Sequence, residues 1–208
     1  PVPPAVRPAD GRLGVLCVGL GAVATTLIAG VELIRRGLGE PVGSLTQLGT
    51  VRLGRRTEGR APLVRDLVPL AALDDLVFGA WDVFPDDAYV AAAKAGVLEV
   101  ERHLEPVADA LRAVRPMPAA FDPAYVKRLE ATHTKGALPR RQLLDAIRDD
   151  IRAFREEHGC DRLVMIWCGS TEVYIDPGPA HADRAALDAA IDADDPAISP
   201  SMLYAYAA

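Results

Sequence analysis

Short apolar runs that end in glycine or in a polar residue recur along the chain, and a stretch with helical spacing follows each of them. The runs lie at residues 13–19, 75–83 and 162–167. A continuous apolar run of this length is typical of a strand buried on both faces, as in a parallel sheet covered by helices. The alternation predicts an α/β fold, a Rossmann-like, doubly wound, mainly parallel sheet with helices on both faces.

The connecting segments differ in character. Residues 25–36 carry apolar side chains at helical spacing and end on two arginines and a glycine, which is a C-terminal helix signal. Residues 41–66 mix glycine with polar and β-forming residues, and they are predicted to form loop and short irregular strand. Residues 86–114 fit one long helix or two shorter ones, and we expect Pro106 to divide them.

The second half of the chain is predicted to contain helices on both sides of the third strand. Two helical stretches follow residue 123, with a break expected between Gly136 and Pro139. The second of them, residues 140–158, is the clearest helix, since its apolar side chains fall on one stripe: Leu143, Leu144, Ile147, Ile151 and Phe154. Residues 182–191 are predicted to form a further helix.

Composition limits the class of protein. The 208 residues are 50% apolar and 25% charged with a net charge of −6, which is typical of a globular domain and argues against nucleic acid as a partner. No apolar run approaches the ~20 residues of a membrane span, and the three cysteines favour reduced, packed thiols, so we expect a cytoplasmic protein. Residues 1–12 are predicted to be a flexible arm and residues 13–208 one domain.

A glycine-rich turn, G-L-G-A-V-A at residues 19–24, stands between the first predicted strand and its helix. This context is typical of a dinucleotide site, in which Gly19 and Gly21 let the backbone approach a pyrophosphate at the helix N-terminus. The alternative is a close turn that binds nothing. The usual acid about 20 residues later is missing. Asp82, at the end of the second strand, is the better candidate for a ribose hydroxyl, although this residue taken alone favours a turn acid or a helix N-cap.

The end of the third strand carries small and hydroxyl residues that could cradle phosphate or ribose: Cys168, Gly169, Ser170 and Thr171. A tight turn is the alternative, and a nucleophilic Cys168 is disfavoured because no histidine is near it in sequence. His133 lies in a polar segment where a ligand contact is conceivable. Asp149 and Asp150 are interpreted as the solvated face of a helix.

Several segments, taken in chain order, resemble the inositol-3-phosphate synthase (myo-inositol-1-phosphate synthase) family. The most specific is G-S-L-T-Q-L-G-T-V at residues 43–51, which ordinary dehydrogenases have no reason to keep. The others are the glycine turn, A-W-D-V at 80–83, R-P-M-P at 115–118, W-C-G-S-T-E at 167–172 and I-S-P-S-M-L-Y at 198–204. The resemblance as a whole extends over residues 12–208.

The resemblance implies an enzyme that uses NAD internally. Members of the family isomerise D-glucose 6-phosphate to 1D-myo-inositol 3-phosphate, the first step of inositol biosynthesis and a supply for phospholipid synthesis. They oxidise the sugar, enolise it, close the ring by an aldol step and reduce the product with the same cofactor. The resemblance further implies a homo-oligomer, typically a tetramer, and composition already argues against a membrane or nucleic-acid partner.

By position, the family's NAD contacts fall on Gly21, Ala22, Val23, Ala24, Asp82, Ala119, Ala120, His133 and residues 168–171, beside Gly19 of the glycine turn. The chain departs from the family pattern at three places. Ala22 and Val23 stand where two asparagines are common, in a loop one residue shorter, and His133 stands where arginine is usual. Residues 168–170 replace Thr-Ala-Asn, so backbone contacts would survive these changes better than side-chain contacts.

The family's catalytic lysines lie beyond the stretch that resembles this chain. Lys94, Lys127 and Lys135 lack the context of those lysines, so no catalytic residue and no metal ligand is assigned. The chain is therefore interpreted as the NAD-binding part of the enzyme, incomplete for catalysis, with the cations for the sugar phosphate outside it. The alternatives are a non-catalytic nucleotide-binding module and another NAD-dependent oxidoreductase that shares the domain.

Overall fold

A four-stranded parallel sheet forms the centre of the computed structural model, which describes residues 9–169 and 172–208. The strands are β1 (Arg12–Val18), β2 (Leu76–Asp82), β3 (Met117–Pro118) and β4 (Cys160–Trp167). Their order is β3-β2-β1-β4, and all three pairings are parallel. This is the strand order of the first half of a dinucleotide-binding fold, so the predicted Rossmann-like α/β class is confirmed.

Seven α-helices connect and cover the strands in the described part of the chain: α1 (Ala22–Arg35), α2 (Leu45–Leu48), α3 (Ala88–Ala95), α4 (Ala108–Ala113), α5 (Arg140–His158), α6 (Arg184–Asp192) and α7 (Pro200–Ala207). The predicted helix after the glycine turn begins three residues earlier than expected, at Ala22. The predicted amphipathic helix at 140–158 is confirmed, and Gly159 ends it in the left-handed conformation.

Helices cover both faces of the sheet because the side chains of β1 alternate between two apolar cores. Val15 and Cys17 pack in one core with apolar residues of α1, α3 and α4. Leu16 and Val18 pack in the other core with residues of α5, α6 and α7. A strand with helices on both faces has no solvated side, which is the physical reason for the unbroken apolar run in its sequence.

The segment at 86–114 divides at a different place from the predicted one. Helix α3 ends at Gly96, which adopts φ +65°, a conformation that glycine reaches without steric cost. Pro106 instead lies in the first turn of a short 3₁₀ helix (Glu105–Val107) that leads into α4. Proline is tolerated there, because the backbone N–H it lacks would have no partner at a helix start.

The prediction of a helical stretch between residue 123 and Pro139 is wrong, because this segment contains no helix. Its backbone hydrogen-bonds the ends of two strands instead of forming a helix. The N–H groups of Thr132 and His133 donate to the carbonyl of Val83, and Lys135 N–H donates to the carbonyl of Ala119. These bonds extend the pairing beyond the two-residue strand β3, which sequence patterns did not indicate. The segment at 41–66 is mainly loop, and its expected irregular strand is reduced to one antiparallel bridge between Thr50 and Leu63.

The third predicted strand, β4, is not buried on both faces. Val164, Ile166 and Trp167 are 42%, 37% and 42% exposed. β4 lies at the edge of the sheet, so it has a neighbouring strand on the β1 side only within the described residues.

The predicted N-terminal arm is described only from Ala9 onward. The Arg162 guanidinium donates to the Ala9 carbonyl at 2.7 Å, and Arg12 already belongs to β1. This end of the arm is therefore bound to the start of β4. In the described part of the chain, no helix combines the length and apolar character that crossing a membrane requires.

Candidate functional site

The carboxyl ends of all four strands meet at one cavity of about 520 Å³. The strand register explains this meeting, because Val18 at the end of β1 pairs with both Trp81 of β2 and Trp167 of β4. Open parallel sheets bind their ligands at this edge, next to the point where the strand order reverses. The reversal here lies between β1, whose chain continues to β2, and β4 on its other side.

The glycine turn forms one wall of the cavity. Gly19 has φ +102°, and a Cβ there would lie 3.2 Å from the Cys168 carbonyl carbon and from the Gly169 nitrogen. The turn can therefore pass β4 only as glycine. At Gly21 the situation is opposite, since a Cβ would meet nothing within 4 Å and φ is −84°. Gly21 keeps space open in front of α1, which is what a bound group needs.

The N-terminus of α1 faces this open space without a cap. Gly21 is its N-cap residue, no side chain accepts a hydrogen bond from the first turn, and the first turn holds no acidic residue. The first backbone N–H groups of a helix have no partner inside the helix, and the helix dipole adds a partial positive charge there. The arrangement can accept a phosphate through backbone donors alone, whatever the side chains at residues 22 and 23.

Asp82 joins the end of β2 to the glycine turn. Its Oδ2 accepts a hydrogen bond from Leu20 N–H at 2.6 Å, and its Oδ1 accepts one from Phe84 N–H at 3.0 Å. Asp82 is thus a turn acid, as the alternative interpretation had it, and it also lines the cavity. Each carboxylate oxygen has a second lone pair, so the same side chain can still accept from a ligand hydroxyl.

Small and apolar side chains form a second wall of the cavity. Ala119 and Ala120 are 5% and 6% exposed, and Ala120 N–H donates to the Tyr204 hydroxyl at 3.0 Å. Other apolar residues that line the cavity are Ala91, Ala95, Phe121, Val126 and Leu129. A wall of this kind suits a flat aromatic ring, which binds by surface burial rather than by charge.

Behind this wall lies a polar network that sequence reasoning missed. Trp81 Nε1–H donates to Asp150 Oδ2 at 2.6 Å, and the Lys135 ammonium pairs with the same oxygen at 2.6 Å. The interpretation of Asp150 as a solvated residue is wrong. A signal was present, because Asp150 lies three residues after Ile147 and four before Phe154, on the apolar stripe of α5.

Tyr204 connects this network to the cavity. Its ring is 1% exposed and meets the Trp81 ring edge-on, with centroids 5.2 Å apart. Burial raises the pKa of the Tyr204 phenol, so the hydroxyl stays protonated and neutral at physiological pH. Tyr204 therefore acts as a fixed acceptor that holds the backbone of Ala120 in place.

Glu172, on the loop after β4, holds the start of α7 at the cavity. Its carboxylate accepts hydrogen bonds from Ser201 N–H at 3.1 Å and from the hydroxyls of Ser199 and Ser201. Two of the segments that carry the family resemblance, the one that ends at Glu172 and the one at 198–204, therefore meet in one contact. The sequence patterns did not indicate that these segments meet.

The predicted site residues divide into two groups. Those that line the cavity are Gly19, Gly21, Ala22, Asp82, Ala119, Ala120, Cys168 and Gly169. Ala24 is fully buried against the sheet, Val23 is 69% exposed, and His133 Nε2 hydrogen-bonds the Pro116 carbonyl at 3.1 Å, so these three are not part of the lining. Ser170 and Thr171 lie outside the described residues.

The two thiols beside the cavity are neutral. Burial, with a smaller contribution from the adjacent Cys168 thiol, raises the pKa of the Cys17 thiol to about 12. Burial also raises the pKa of Cys168 above its ordinary value. Since the thiolate is the nucleophile, this geometry does not favour covalent chemistry at Cys168. No three His, Cys, Asp or Glu side chains gather as a metal site would require within residues 9–169 and 172–208.

We expect Cys168 to react slowly with a maleimide or a disulfide reagent at pH 7, at least about tenfold slower than an unstructured cysteine peptide. The rate should keep rising above pH 9, because burial raises the pKa of Cys168 and the thiolate forms only as the pH approaches that pKa. Mass-spectrometric mapping identifies the labelled residue, and Cys168→Ala serves as the control. Rapid labelling of Cys168 at pH 7 would contradict the neutral thiol.

Three comparisons place this geometry among known proteins. The sequence model of the family described as myo-inositol-1-phosphate synthase matches residues 13–208. The inositol-3-phosphate synthase 1 of Bacteroides thetaiotaomicron is 50% identical over 205 residues, which are 98% of this chain and 47% of that protein. The human inositol-3-phosphate synthase 1 is 34% identical, over 94% of this chain and 38% of that protein.

The fold comparison agrees with the sequence comparison. The crystal structure of inositol-3-phosphate synthase from Caenorhabditis elegans superposes with a TM-score of 0.86 at 25% identity, covering 97% of this chain and 42% of that one. A myo-inositol-1-phosphate synthase-related protein from Thermotoga maritima superposes with a TM-score of 0.62 at 20% identity, a likeness of fold alone. The chain spans less than half the length of each of these relatives.

Proposed function

Because the chain belongs to the myo-inositol-1-phosphate synthase family and supplies its NAD-binding domain, we propose that it holds NAD in the cavity at the carboxyl edge of the sheet. The observation that carries the proposal is the difference between the surroundings of Gly19 and those of Gly21. One glycine is required by a close approach to β4, and the other leaves open space before an uncapped helix. A turn that bound nothing would need the first feature but not the second.

The cavity fits the parts of a dinucleotide. Its volume of about 520 Å³ is within the usual range of cofactor sites. The backbone at Gly21 and Ala22 would hold the pyrophosphate, Asp82 the hydroxyls of the adenosine ribose, and the wall at Ala119 and Ala120 the adenine ring. Cys168 and Gly169, which lie against Gly19, would hold the nicotinamide half of the cofactor, and the family pattern adds Ser170 and Thr171 to this set.

Three residues that the family pattern places at the cofactor are proposed to act without lining the cavity. Ala24 lets α1 pack closely on the sheet, which sets the direction of its N-terminus. His133 braces the β3 end through the Pro116 carbonyl and through its own backbone bonds to Val83 and Ala119. Val23 would contribute only its backbone N–H, since its side chain is exposed.

The activity proposed for the whole protein is conversion of D-glucose 6-phosphate to 1D-myo-inositol 3-phosphate. NAD, when bound, supplies a hydride acceptor that can later return the hydride, so the overall reaction needs no external oxidant. The part played by this chain is to bind and orient the cofactor and to keep water from its apolar wall. Among the described residues that line the cavity, Lys94 is the one cation, whereas Asp82, Asp86 and Glu172 are acidic. We therefore place the groups that hold the sugar phosphate, and the catalytic lysines, in the part of the protein beyond this chain.

We also propose that the protein works in the cytoplasm as a homo-oligomer. The three free cysteines, Cys17, Cys160 and Cys168, support a reducing compartment. Assembly is proposed to depend mainly on the region beyond this chain.

Calorimetric titration with NAD and NADH tests the proposal directly. We expect saturable binding of one dinucleotide per chain, with quenching of the fluorescence of Trp167, which lines the cavity. We expect no turnover of glucose 6-phosphate by the 208 residues alone, and NAD-dependent formation of inositol phosphate by the full-length protein. No product from a full-length protein that is saturated with NAD would contradict the proposed activity.

A further inference from the structure

We propose that the Asp86–Lys94 ion pair makes the cavity select a dinucleotide with a free adenosine 2′-hydroxyl over one that carries a 2′-phosphate. The inference rests on the proposed function, because it assigns a role at the adenosine end of the same cavity. It identifies Asp86 as a residue that determines cofactor specificity.

The pair lines the same cavity as Asp82, the acid proposed to bind the ribose. Asp86 follows Asp82 by four residues, on the connection between β2 and α3, and Lys94 lies in the last turn of α3. Asp86 Oδ2 and Lys94 Nζ are 2.5 Å apart, and all three side chains line the cavity. The side chain of Asp86 is 26% exposed and that of Lys94 is 67% exposed.

Helix capping does not explain why an aspartate stands at position 86. The N-cap residue of α3 is its neighbour Asp87, whose Oδ1 accepts a hydrogen bond from Val90 N–H at 2.9 Å. Asp86 is not needed to start the helix, and its carboxylate is directed to the ammonium of Lys94 instead. An ion pair at the surface contributes little to folding stability. Its position at the cavity therefore points to a role in binding rather than in folding.

The charges of this region disfavour a 2′-phosphate. A carboxylate at the end of the second strand suits the 2′-hydroxyl of NAD, whereas a nearby cation is what accommodates the extra phosphate of NADP. Lys94 is the one cation in the described lining, and Asp86 already neutralises it. A phosphate dianion would meet Asp82 and Asp86 with no uncompensated positive charge, and specificity often depends on such repulsion.

Binding of NADH and NADPH to the purified protein tests the inference, with calorimetry and tryptophan fluorescence as readouts. For the unmodified protein we expect NADH to bind at least about 100-fold more tightly than NADPH. In Asp86→Asn we expect NADPH to bind about tenfold more tightly than before, because one repulsive charge is removed and Lys94 is released. The affinity for NADH should rise much less, because NADH lacks the 2′-phosphate on which the changed charge is proposed to act.

Two further variants separate the pair from general charge effects. Asp109→Asn breaks an exposed pair with Arg36, of N–O distance 2.6 Å, that does not line the cavity, so both affinities should be unchanged. Lys94→Gln combined with Asp86→Asn should lose most of the gain for NADPH, because the released cation is gone. If Asp86→Asn does not fold, Lys94→Glu on its own should weaken NADPH binding more than it weakens NADH binding, because only NADPH carries the additional 2′-phosphate charge.

The outcomes distinguish the two proposals. If NADH binds and neither Asp86→Asn nor Lys94→Glu changes the ratio of the two affinities, the specificity role of the pair is overturned and the proposed function stands. If neither dinucleotide binds the unmodified protein, the proposed function is overturned and the inference with it.

Discussion

Replacement of Gly21 by valine is expected to weaken NAD binding by at least about 100-fold, equivalent to about 3 kcal/mol, whereas folding stability should fall by about 1 kcal/mol or less, because valine is a poorer helix N-cap than glycine. A side chain at Gly21 meets no protein atom within 4 Å, and φ −84° is accessible to any residue. The valine would instead occupy the space in front of α1 that the pyrophosphate is proposed to fill. Calorimetric titration with NADH measures the loss, and thermal unfolding checks the fold.

Two other glycines serve as controls for this experiment. Gly30, inside α1, also has open space at its Cβ position but does not line the cavity, so Gly30→Val should leave NADH binding unchanged. Gly19→Val should instead destabilise the protein, because φ +102° and a backbone contact at 3.2 Å do not accept a side chain. Binding by Gly21→Val within a few-fold of the unmodified protein would show that the dinucleotide does not lie against this turn.

Replacement of Asp150 by alanine is expected to lower the free energy of unfolding by about 3 kcal/mol, and the melting temperature by about 6–12 °C. The change leaves the Lys135 ammonium, on a side chain that is 10% exposed, without its partner, and it leaves the buried Trp81 N–H without an acceptor. Denaturant unfolding followed by circular dichroism measures the effect.

The neighbouring residue provides a matched control. Asp149 is 67% exposed and pairs with Arg152 on the helix surface, so Asp149→Ala should change stability by less than about 0.5 kcal/mol. Combining Asp150→Leu with Lys135→Met should recover much of the lost stability, because an apolar pair can replace a buried ion pair. Equal, small effects of Asp149→Ala and Asp150→Ala would mean that the network does not stabilise the fold.

How far the sequence predicts this protein differs between its elements. The strand β1 and the helix α1 were predictable because their signals are local: an apolar run, a glycine turn and helical spacing. The position of β4 at the sheet edge was not, since a run such as residues 162–167 looks the same in a central strand and in an edge strand. The segment before Pro139 was misassigned because its backbone N–H groups bond to Val83 and Ala119, which are distant in sequence.

The candidate site shows the same division. The sequence by itself determined the fold class, the position of the glycine turn after β1 and the position of Asp82 at the end of β2. Each of these depends on residue types within one strand–turn–helix unit. Only the tertiary structure decided that Asp82 also holds the Leu20 N–H, that Glu172 holds the start of α7, and that Asp150 is paired rather than solvated. These roles depend on which side chains meet across the sheet, and the spacing of residues along one element does not contain that information.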